Sequence, residues 1–237
     1  MRTYTVDLHS HTPHVSGDYR GPVGTAPTDL VIAALDAGID VLAVSDHFSV
    51  AYAEKVLVAA DDERIRSGRR LTVLPGAELK ISWREDEVHL IAIFEPGRAE
   101  SRFASLQLVL GMTPGEDPAM LHRVCVEHDP VSAARAIAAL GGICHIAHAD
   151  RRFGDYRLLD RPLMRRLLHE APIAAVELIY SSNESVVEGL ASHPVCCISS
   201  SDAHSPAEMG RRRTELVLSE PTFQGLRAAL EACALPV

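Results

Sequence analysis

Two histidines, His9 and His11, end the first apolar run of the chain, in the segment "DLHSHT". Residues two apart on a β-strand point to the same side, so these two imidazoles face one space. Asp202 and His204 have the same spacing at the end of a later apolar run. Imidazole and carboxylate groups that converge in this way are ligands for Zn, Mn or Fe. The spacing predicts a metal site assembled from several strand ends.

Ionisable residues mark the ends of the other apolar runs as well. The full set is His9, His11, Asp46, His47, Glu78, His89, His145, His148, Glu177, Asp202 and His204. A single histidine at a strand end is most often a hydrogen-bonded structural residue. That explanation fails for the whole set, because burying so many unpaired groups would be costly and a cation offsets the cost.

Two pairs in this set require a choice between close neighbours. Asp46 and His47 are adjacent, and His145 and His148 are three apart, so on a regular strand only one of each pair faces the site. We favour His47 and His148. Glu177 is interpreted either as a hydrogen-bond partner of a ligand or as a substrate-binding residue.

The elements that must position these residues alternate along the chain. Strands are predicted at 4–9, 41–47, 71–79, 88–94, 142–148, 174–180 and 195–204, with an extra strand at 214–218. Helices are predicted at 27–38, 50–68, 129–142, 161–171, 183–193 and 222–233. The strands are nearly continuous apolar runs, which is typical of a parallel sheet with both faces buried. This order predicts an α/β fold, either doubly wound or a barrel, in which the carboxyl ends of the strands meet at one face.

Composition limits the functional classes. The chain has 237 residues and a net charge of −9, with 47% hydrophobic residues, which suits one domain over 1–237. The acidic balance argues against long nucleic acid as a partner but allows a small phosphorylated substrate. No run reaches the roughly 20 apolar residues of a membrane span, and no signal peptide is recognisable, so we expect a cytoplasmic protein. Its five cysteines are expected to be reduced and mostly in the core.

The motifs "DLHSHT", "AVSDH", "PGAEL", "VHLIAIF", "IAHAD" and "SSSDAH" occur in this order and resemble those of the PHP (polymerase and histidinol phosphatase) family. The resemblance runs from residue 6 to about 215 and is closest to PHP domains that stand alone or precede an ATPase module. It implies a distorted (β/α)7 TIM-like barrel that holds two or three divalent transition metals, Mn, Zn or Fe.

The resemblance also implies which residues bind each metal. One metal would be held by His9, His11, Glu78 and Asp202, and Glu78 would bridge to a second metal bound by His89 and His148. A third would be held by His47, His204 and a ligand in the 14–18 loop. Asp18 is favoured for that ligand over His14, although its spacing from His11 is slightly longer than is common in the family. The fifth motif keeps His148 but has Ala149 where the family usually has proline.

Clustered divalent metals suit phosphoester hydrolysis, so the leading hypothesis is a phosphoesterase acting on a small phosphorylated metabolite or nucleotide. Asp202 or His204 would position the water or protonate the leaving oxygen. Arg151, Arg152 and Arg211 are candidates for binding phosphate. Alternatives are a nuclease for short oligonucleotides, a hydrolase of non-phosphate substrates, and a catalytically silent metal-binding regulatory domain. Substrate, metal identity and oligomeric state stay open.

Overall fold

The computed structural model describes residues 1–112, 117–153, 156–180, 190 and 195–233, with the side chains of residues 152, 153 and 156 excepted. The strands are β1 (Arg2–Asp7), β2 (Val41–Val44), β3 (Thr72–Trp83), β4 (Asp86–Ile93), β5 (Val126–Glu127), β6 (Ile143–Ile146), β7 (Arg152–Phe153), β8 (Tyr156–Arg157), β9 (Ala175–Glu177), β10 (Cys196–Ile198) and β11 (Thr214–Leu218). The α-helices are α1 (Pro27–Asp36), α2 (Ala53–Ser67), α3 (Ala99–Val109), α4 (Pro130–Ala139), α5 (Pro162–Glu170) and α6 (Phe223–Cys233). The predicted helix at 183–193 lies outside the described residues except at Leu190.

The main sheet is a curved path of eight strands in the order β10-β9-β6-β4-β3-β2-β1-β11, with β5 paired to β3. The segments that follow β1 and β10 meet, because Ser10 and Ala203 form a parallel bridge. The buried Asp7 carboxylate strengthens this junction by accepting hydrogen bonds from the backbone N–H groups of Ser201 (2.9 Å) and Gly210 (3.2 Å). The sheet is therefore a nearly closed barrel, and the predicted TIM-like α/β fold is confirmed.

Strand β4 departs from the predicted alternation of strands and helices. Only Arg84 and Glu85 separate it from β3, and the two strands form an antiparallel hairpin. A two-residue connection permits only this pairing, because a parallel neighbour requires a crossover of a dozen or more residues. The reversal places His89, in the first half of β4, opposite Lys80 and beside Glu78.

Helices cover the outside of the barrel and bury their apolar faces against it. Helix α4 begins at Pro130, and the side chain of Asp129 caps it by accepting a hydrogen bond from the backbone N–H of Val131. Helix α2 ends at Gly68, which has a left-handed backbone with φ 77°. Among the described helices, none combines the length and the apolar character needed to cross a bilayer.

The expectation that all cysteines are reduced is wrong for two of them. Cys196 on β10 and Cys233 at the end of α6 form a disulfide. Cys144 is a buried free thiol as predicted, whereas Cys125 and Cys197 are exposed. Cys197 is exposed because side chains alternate between the two faces along β10. The pairing of Cys196 with Cys233 could not be read from an odd set of cysteines without a CxxC motif.

The disulfide yields a prediction for thiol content and stability. Titration of unfolded, unreduced protein with a thiol reagent should detect three thiols, and five after reduction. Cys233→Ser should lower the free energy of unfolding by about 2–4 kcal/mol under non-reducing conditions, because it frees a loop of 37 residues in the unfolded chain. Cys125→Ser is the control, and equal stability of the two variants would contradict a bonded Cys233.

Candidate metal centre

The predicted site residues converge inside one end of the barrel. His9 and His11 follow β1, His47 follows β2, and His148 follows β6. Asp202 and His204 follow β10, and Glu78 and His89 lie on the β3–β4 hairpin. The structure brings their side chains together in three groups of potential ligand atoms: His9 with His11 and Asp202, His9 with Glu78 and His148, and His11 with His47 and His204. Every member of these groups is buried.

The first group surrounds a single small space. The Nε2 atoms of His9 and His11 lie 3.1 Å apart. Each lies 3.3–3.5 Å from Glu78 Oε2 and from Asp202 Oδ1. Ligand atoms held about 2.0–2.2 Å from one metal are separated from each other by roughly 3.0–3.6 Å. The four side chains therefore have the spacing of a metal coordination shell.

Glu78 connects this space to the second group. Its Oε2 atom faces His9 and His11, whereas its Oε1 atom lies 3.2 Å from His148 Nε2. His89 is also close, because its Nδ1 lies 2.6 Å from the same Oε1 atom. That distance corresponds to a hydrogen bond from imidazole to carboxylate, so the role of His89 as a ligand remains a prediction. Glu78 has the two-sided placement expected of a bridging carboxylate.

The third group lies on the side of the 14–18 loop. The rings of His11 and His204 stack with centroids 4.1 Å apart. Asp18 Oδ2 lies 2.8 Å from His47 Nε2 and 3.5 Å from His204 Nε2. His14 lies elsewhere: its Nε2 is 3.0 Å from Ser49 Oγ, and its ring stacks on Tyr52. The structure therefore brings Asp18 into the cluster and leaves His14 outside it.

Charge within the cluster favours a bound cation. Burial opposes the ionised carboxylates, but the surrounding histidines hold the pKa of Glu78 and of Asp202 well below the usual range. Burial also opposes a charged His9, yet the carboxylates of Glu177, Glu78 and Asp202 keep its pKa well above normal. Burial lowers the pKa of His11 to about 4, which leaves the neutral imidazole that a metal requires. The field that favours a proton beside His9 also favours a metal ion.

Unpaired polar atoms in the cluster fit the same conclusion. Among the described residues, His11 Nδ1 and Asp18 Oδ1 are buried without a hydrogen-bond partner. His47 Nδ1 lies 3.1 Å from Glu78 Oε2 but lacks the alignment of a hydrogen bond. Buried polar atoms are normally paired, so this concentration needs an explanation beyond hydrogen bonding within the chain. The donor set, nitrogen and carboxylate oxygen without thiolate, suits Mn, Zn or Fe.

The two neighbours that the sequence analysis did not favour, Asp46 and His145, are both buried beside the site. Asp46 accepts hydrogen bonds from the backbone N–H (2.7 Å) and the hydroxyl (2.6 Å) of Thr12, next to His11. Burial raises the pKa of Asp46 to about 7, although these bonds oppose the shift. His148 follows the end of β6 at Ile146 and reaches Glu78, whereas His145 lies within β6 and its Nε2 is 3.9 Å from Glu177 Oε2.

Backbone strain is concentrated at this end of the barrel. Of four described non-glycine residues with positive φ, three adjoin or belong to the site: Phe48 (48°), His148 (30°) and Asp202 (49°). Side chains rarely adopt this left-handed backbone, which costs about 1–2 kcal/mol per residue. The N–H groups of these residues donate to Glu78 O, Glu177 Oε1 and His9 O, respectively. The site residues themselves hold the strained backbone in place.

Two of the predicted substrate-binding residues form hydrogen bonds within the protein. Glu177 is fully buried behind His9, with its Oε2 atom 3.2 Å from His9 Nδ1, which favours the hydrogen-bond interpretation of this residue over substrate binding. Arg211 is also committed within the protein, because its guanidinium donates to the backbone carbonyls of Ser201 (2.8 Å) and Asp202 (3.2 Å) and to Glu208 (2.9 Å). The side chain of Arg152 lies outside the described part of the chain.

Arg151 does lie at the mouth of the site. It lines a cavity of about 270 Å³ together with the cluster, and its Nη1 is 3.9 Å from Asp202 Oδ2. The same cavity is lined by Arg20, Lys80 and His122, which the sequence analysis did not select. Two of them could have been found from spacing, because Arg20 follows Asp18 by two residues and Lys80 follows Glu78 by two. His122 carries no such signal.

Comparison with known proteins agrees with this site. The PHP-associated family model matches residues 181–234. The 5'-3' exoribonuclease Rnm of Salmonella typhimurium is 33% identical over 87 residues, which are 37% of this chain and 26% of that protein. The matched segment thus spans about a quarter of the relative.

Solved structures share the fold. Endonuclease Q from Pyrococcus furiosus superposes with a TM-score of 0.72 at 20% identity, over 98% of this chain and 56% of the other. A Bifidobacterium adolescentis protein, assigned as a metal-dependent phosphoesterase, gives a TM-score of 0.61 at 17% identity, over 98% and 97%.

The fold and the cluster define an α/β barrel with a histidine- and carboxylate-rich metal centre at one end. Over residues 181–234 the chain is similar to PHP-associated proteins, and its ordered motifs resemble those of the PHP family.

Asp18 and His14 give a direct test of the third ligand group. Asp18→Asn should lower the bound metal by about one equivalent after dialysis, because it removes the carboxylate between His47 and His204. His14→Gln should keep the full metal content, measured by elemental analysis. The reverse pattern would assign the third ligand to His14.

Proposed function

We propose that this protein is a metal-dependent phosphoric ester hydrolase. The observation that carries the proposal is the placement of Glu78, whose two carboxylate oxygens face two adjoining groups of ligand atoms. Adjacent divalent metals that share a ligand are suited to displacement at phosphorus. The three ligand groups consist of imidazole and carboxylate side chains, which suits divalent metals that activate water.

The residues that would hold the metals are His9, His11, Asp18, His47, Glu78, His89, His148, Asp202 and His204. Bound divalent ions supply a nucleophilic water of lowered pKa and neutralise charge on the phosphoryl oxygens. His204 donates from Nδ1 to the backbone carbonyl of Asp202 (3.0 Å), which leaves its Nε2 facing Asp18 as a ligand. Asp202 turns Oδ1 to the cluster and Oδ2 toward Arg151 at the mouth. Asp202 is therefore the better placed of the two to orient a water beside the substrate.

The cavity at the mouth of the site supports a proposal for the size and the charge of the substrate. A cavity of about 270 Å³ suits a small phosphorylated metabolite or a nucleotide. Arg20, Lys80 and Arg151 line it from three different segments and bring cationic groups to the mouth, where Arg20 also pairs with Glu208 and Lys80 with Glu87. Arg151 is about half exposed, which leaves its guanidinium accessible to an incoming phosphate.

A nuclease acting on short oligonucleotides is the second candidate. The similarity to an exoribonuclease over 87 residues and the shared fold of endonuclease Q favour it. The cationic side chains at the mouth are compatible with phosphates that flank the one being cleaved. A comparison of an aryl phosphate, a nucleoside monophosphate and a short oligonucleotide as substrates separates the two candidates.

Replacement of His9 tests the proposed chemistry. Wild-type protein should contain two to three equivalents of Mn, Zn or Fe and hydrolyse a generic aryl phosphate. His9→Ala should reduce both metal content and turnover, because His9 belongs to two of the three ligand groups. His14→Ala is the matched control and should change neither. A wild-type protein that carries metal but hydrolyses no phosphoester would indicate a catalytically silent regulatory domain.

The two arginines provide a second test. Arg151→Ala should raise KM for a phosphate ester about tenfold with little change in Tm, since it removes a charge-assisted contact worth about 1.4 kcal/mol. Arg211→Ala should instead lower Tm, because it frees the carbonyls of Ser201 and Asp202. Kinetics and thermal unfolding of both variants check the assignment. An unchanged KM in Arg151→Ala would remove this residue from the substrate contacts.

A further inference from the structure

Glu177 is a fully buried carboxylate that lies behind the cluster and outside its three ligand groups. It is the last residue of β9, which pairs with β6 on one side and β10 on the other. Glu177 therefore lies on the strand between those that lead to His148 and to Asp202. A charged group in this position requires partners, because an unpaired carboxylate inside a protein is strongly disfavoured.

One partner is the far side of the His9 ring. His9 Nδ1 lies 3.2 Å from Glu177 Oε2 and 3.3 Å from Oε1, while His9 Nε2 faces the cluster. A hydrogen bond donated from Nδ1–H fixes the proton on that nitrogen and leaves Nε2 free to bind a metal. Such outer partners orient metal-binding histidines and increase their basicity.

The other partner is the backbone of His148. The His148 N–H donates to Glu177 Oε1 at 3.0 Å, at a residue whose φ of 30° is left-handed. The carboxylate thus holds the strained turn that directs the His148 ring toward Glu78. His145 fills the remaining side, with its Nε2 3.9 Å from Glu177 Oε2, beyond hydrogen-bond distance. The bonds of Glu177 are directed at two candidate ligands from two different strands.

We infer that Glu177 is a positioning residue that holds His9 and His148 in the orientation needed to bind metal in two adjoining ligand groups. The inference rests on the proposed metal centre but does not depend on which phosphate ester is hydrolysed. One buried carboxylate would thus align a ligand that follows β1 with a ligand that follows β6.

Metal affinity tests this inference without reference to turnover. Wild type and Glu177→Gln are stripped with a chelator and titrated with Zn²⁺ against a chromophoric competitor. Glu177→Gln should bind Zn²⁺ about 10–100-fold more weakly, the usual effect of losing an outer partner of a histidine ligand. Glu63→Gln is the matched control, because Glu63 is also buried but lies on α2 with Arg66 as its partner. Equal affinity of Glu177→Gln and wild type would overturn the inference.

A double-mutant cycle separates positioning from a general structural role. If Glu177 acts largely through His9, Glu177→Gln should weaken Zn²⁺ binding less in a His9→Ala background than in wild type. Full additivity of the two losses would contradict action through His9. Circular dichroism and thermal unfolding show whether each variant is folded.

A measurement on the wild-type protein keeps the inference testable if Glu177→Gln does not fold. The Zn²⁺-loaded protein should show a downfield, slowly exchanging imidazole N–H proton by NMR that is absent from His9→Ala. Its absence from wild type would overturn the inference. A protein with this resonance and normal Zn²⁺ affinity, but no phosphoesterase activity, would contradict the proposed function alone.

Discussion

The buried carboxylate of Glu78 is the interaction on which the rest of the site depends. Five histidines approach it: His9, His11 and His47 at Oε2, and His89 and His148 at Oε1. They come from four separate parts of the chain, so the barrel must close around Glu78 for its charge to be compensated. A negative charge with 1% exposure cannot be stable without such a shell. Closure of the barrel and assembly of the site are thus one requirement.

Other buried carboxylates around this centre connect neighbouring segments of the chain by hydrogen bonds. Asp7 and Asp46 accept backbone N–H groups from the segments beside them, and Asp150 accepts those of Ile179 (2.7 Å) and Tyr180 (2.6 Å). Each bond ties the end of one strand to the loop that follows another. Several acidic residues that the net charge of −9 counts are therefore inside the protein and not on its surface.

The sequence was informative where metal-binding residue types occur at the two-residue spacing of a β-strand. Paired spacing at His9 and His11 and at Asp202 and His204, with ordered family motifs, predicted the barrel and a cluster that the structure assembles. It could not predict the reversal of β4, because an apolar run reads the same in either direction. The contacts of Arg211 were also hidden, since a surface arginine and one that donates to backbone carbonyls have the same local sequence, and for Glu177 the sequence left two interpretations open. Contacts between residues far apart in the chain decide such cases.

The left-handed backbone at Phe48, His148 and Asp202 has a consequence for efforts to stabilise this protein. Glycine would adopt these angles without strain, so relief of backbone strain alone would favour it at His148 and Asp202, whereas at Phe48 the loss of a fully buried side chain outweighs that gain. At His148 and Asp202 that choice would delete the very side chains that face the cluster. At this end of the barrel, the side chains that face the cluster are kept at the cost of backbone strain. Stabilising substitutions belong instead on the outer helices, where no backbone bond of the cluster depends on them.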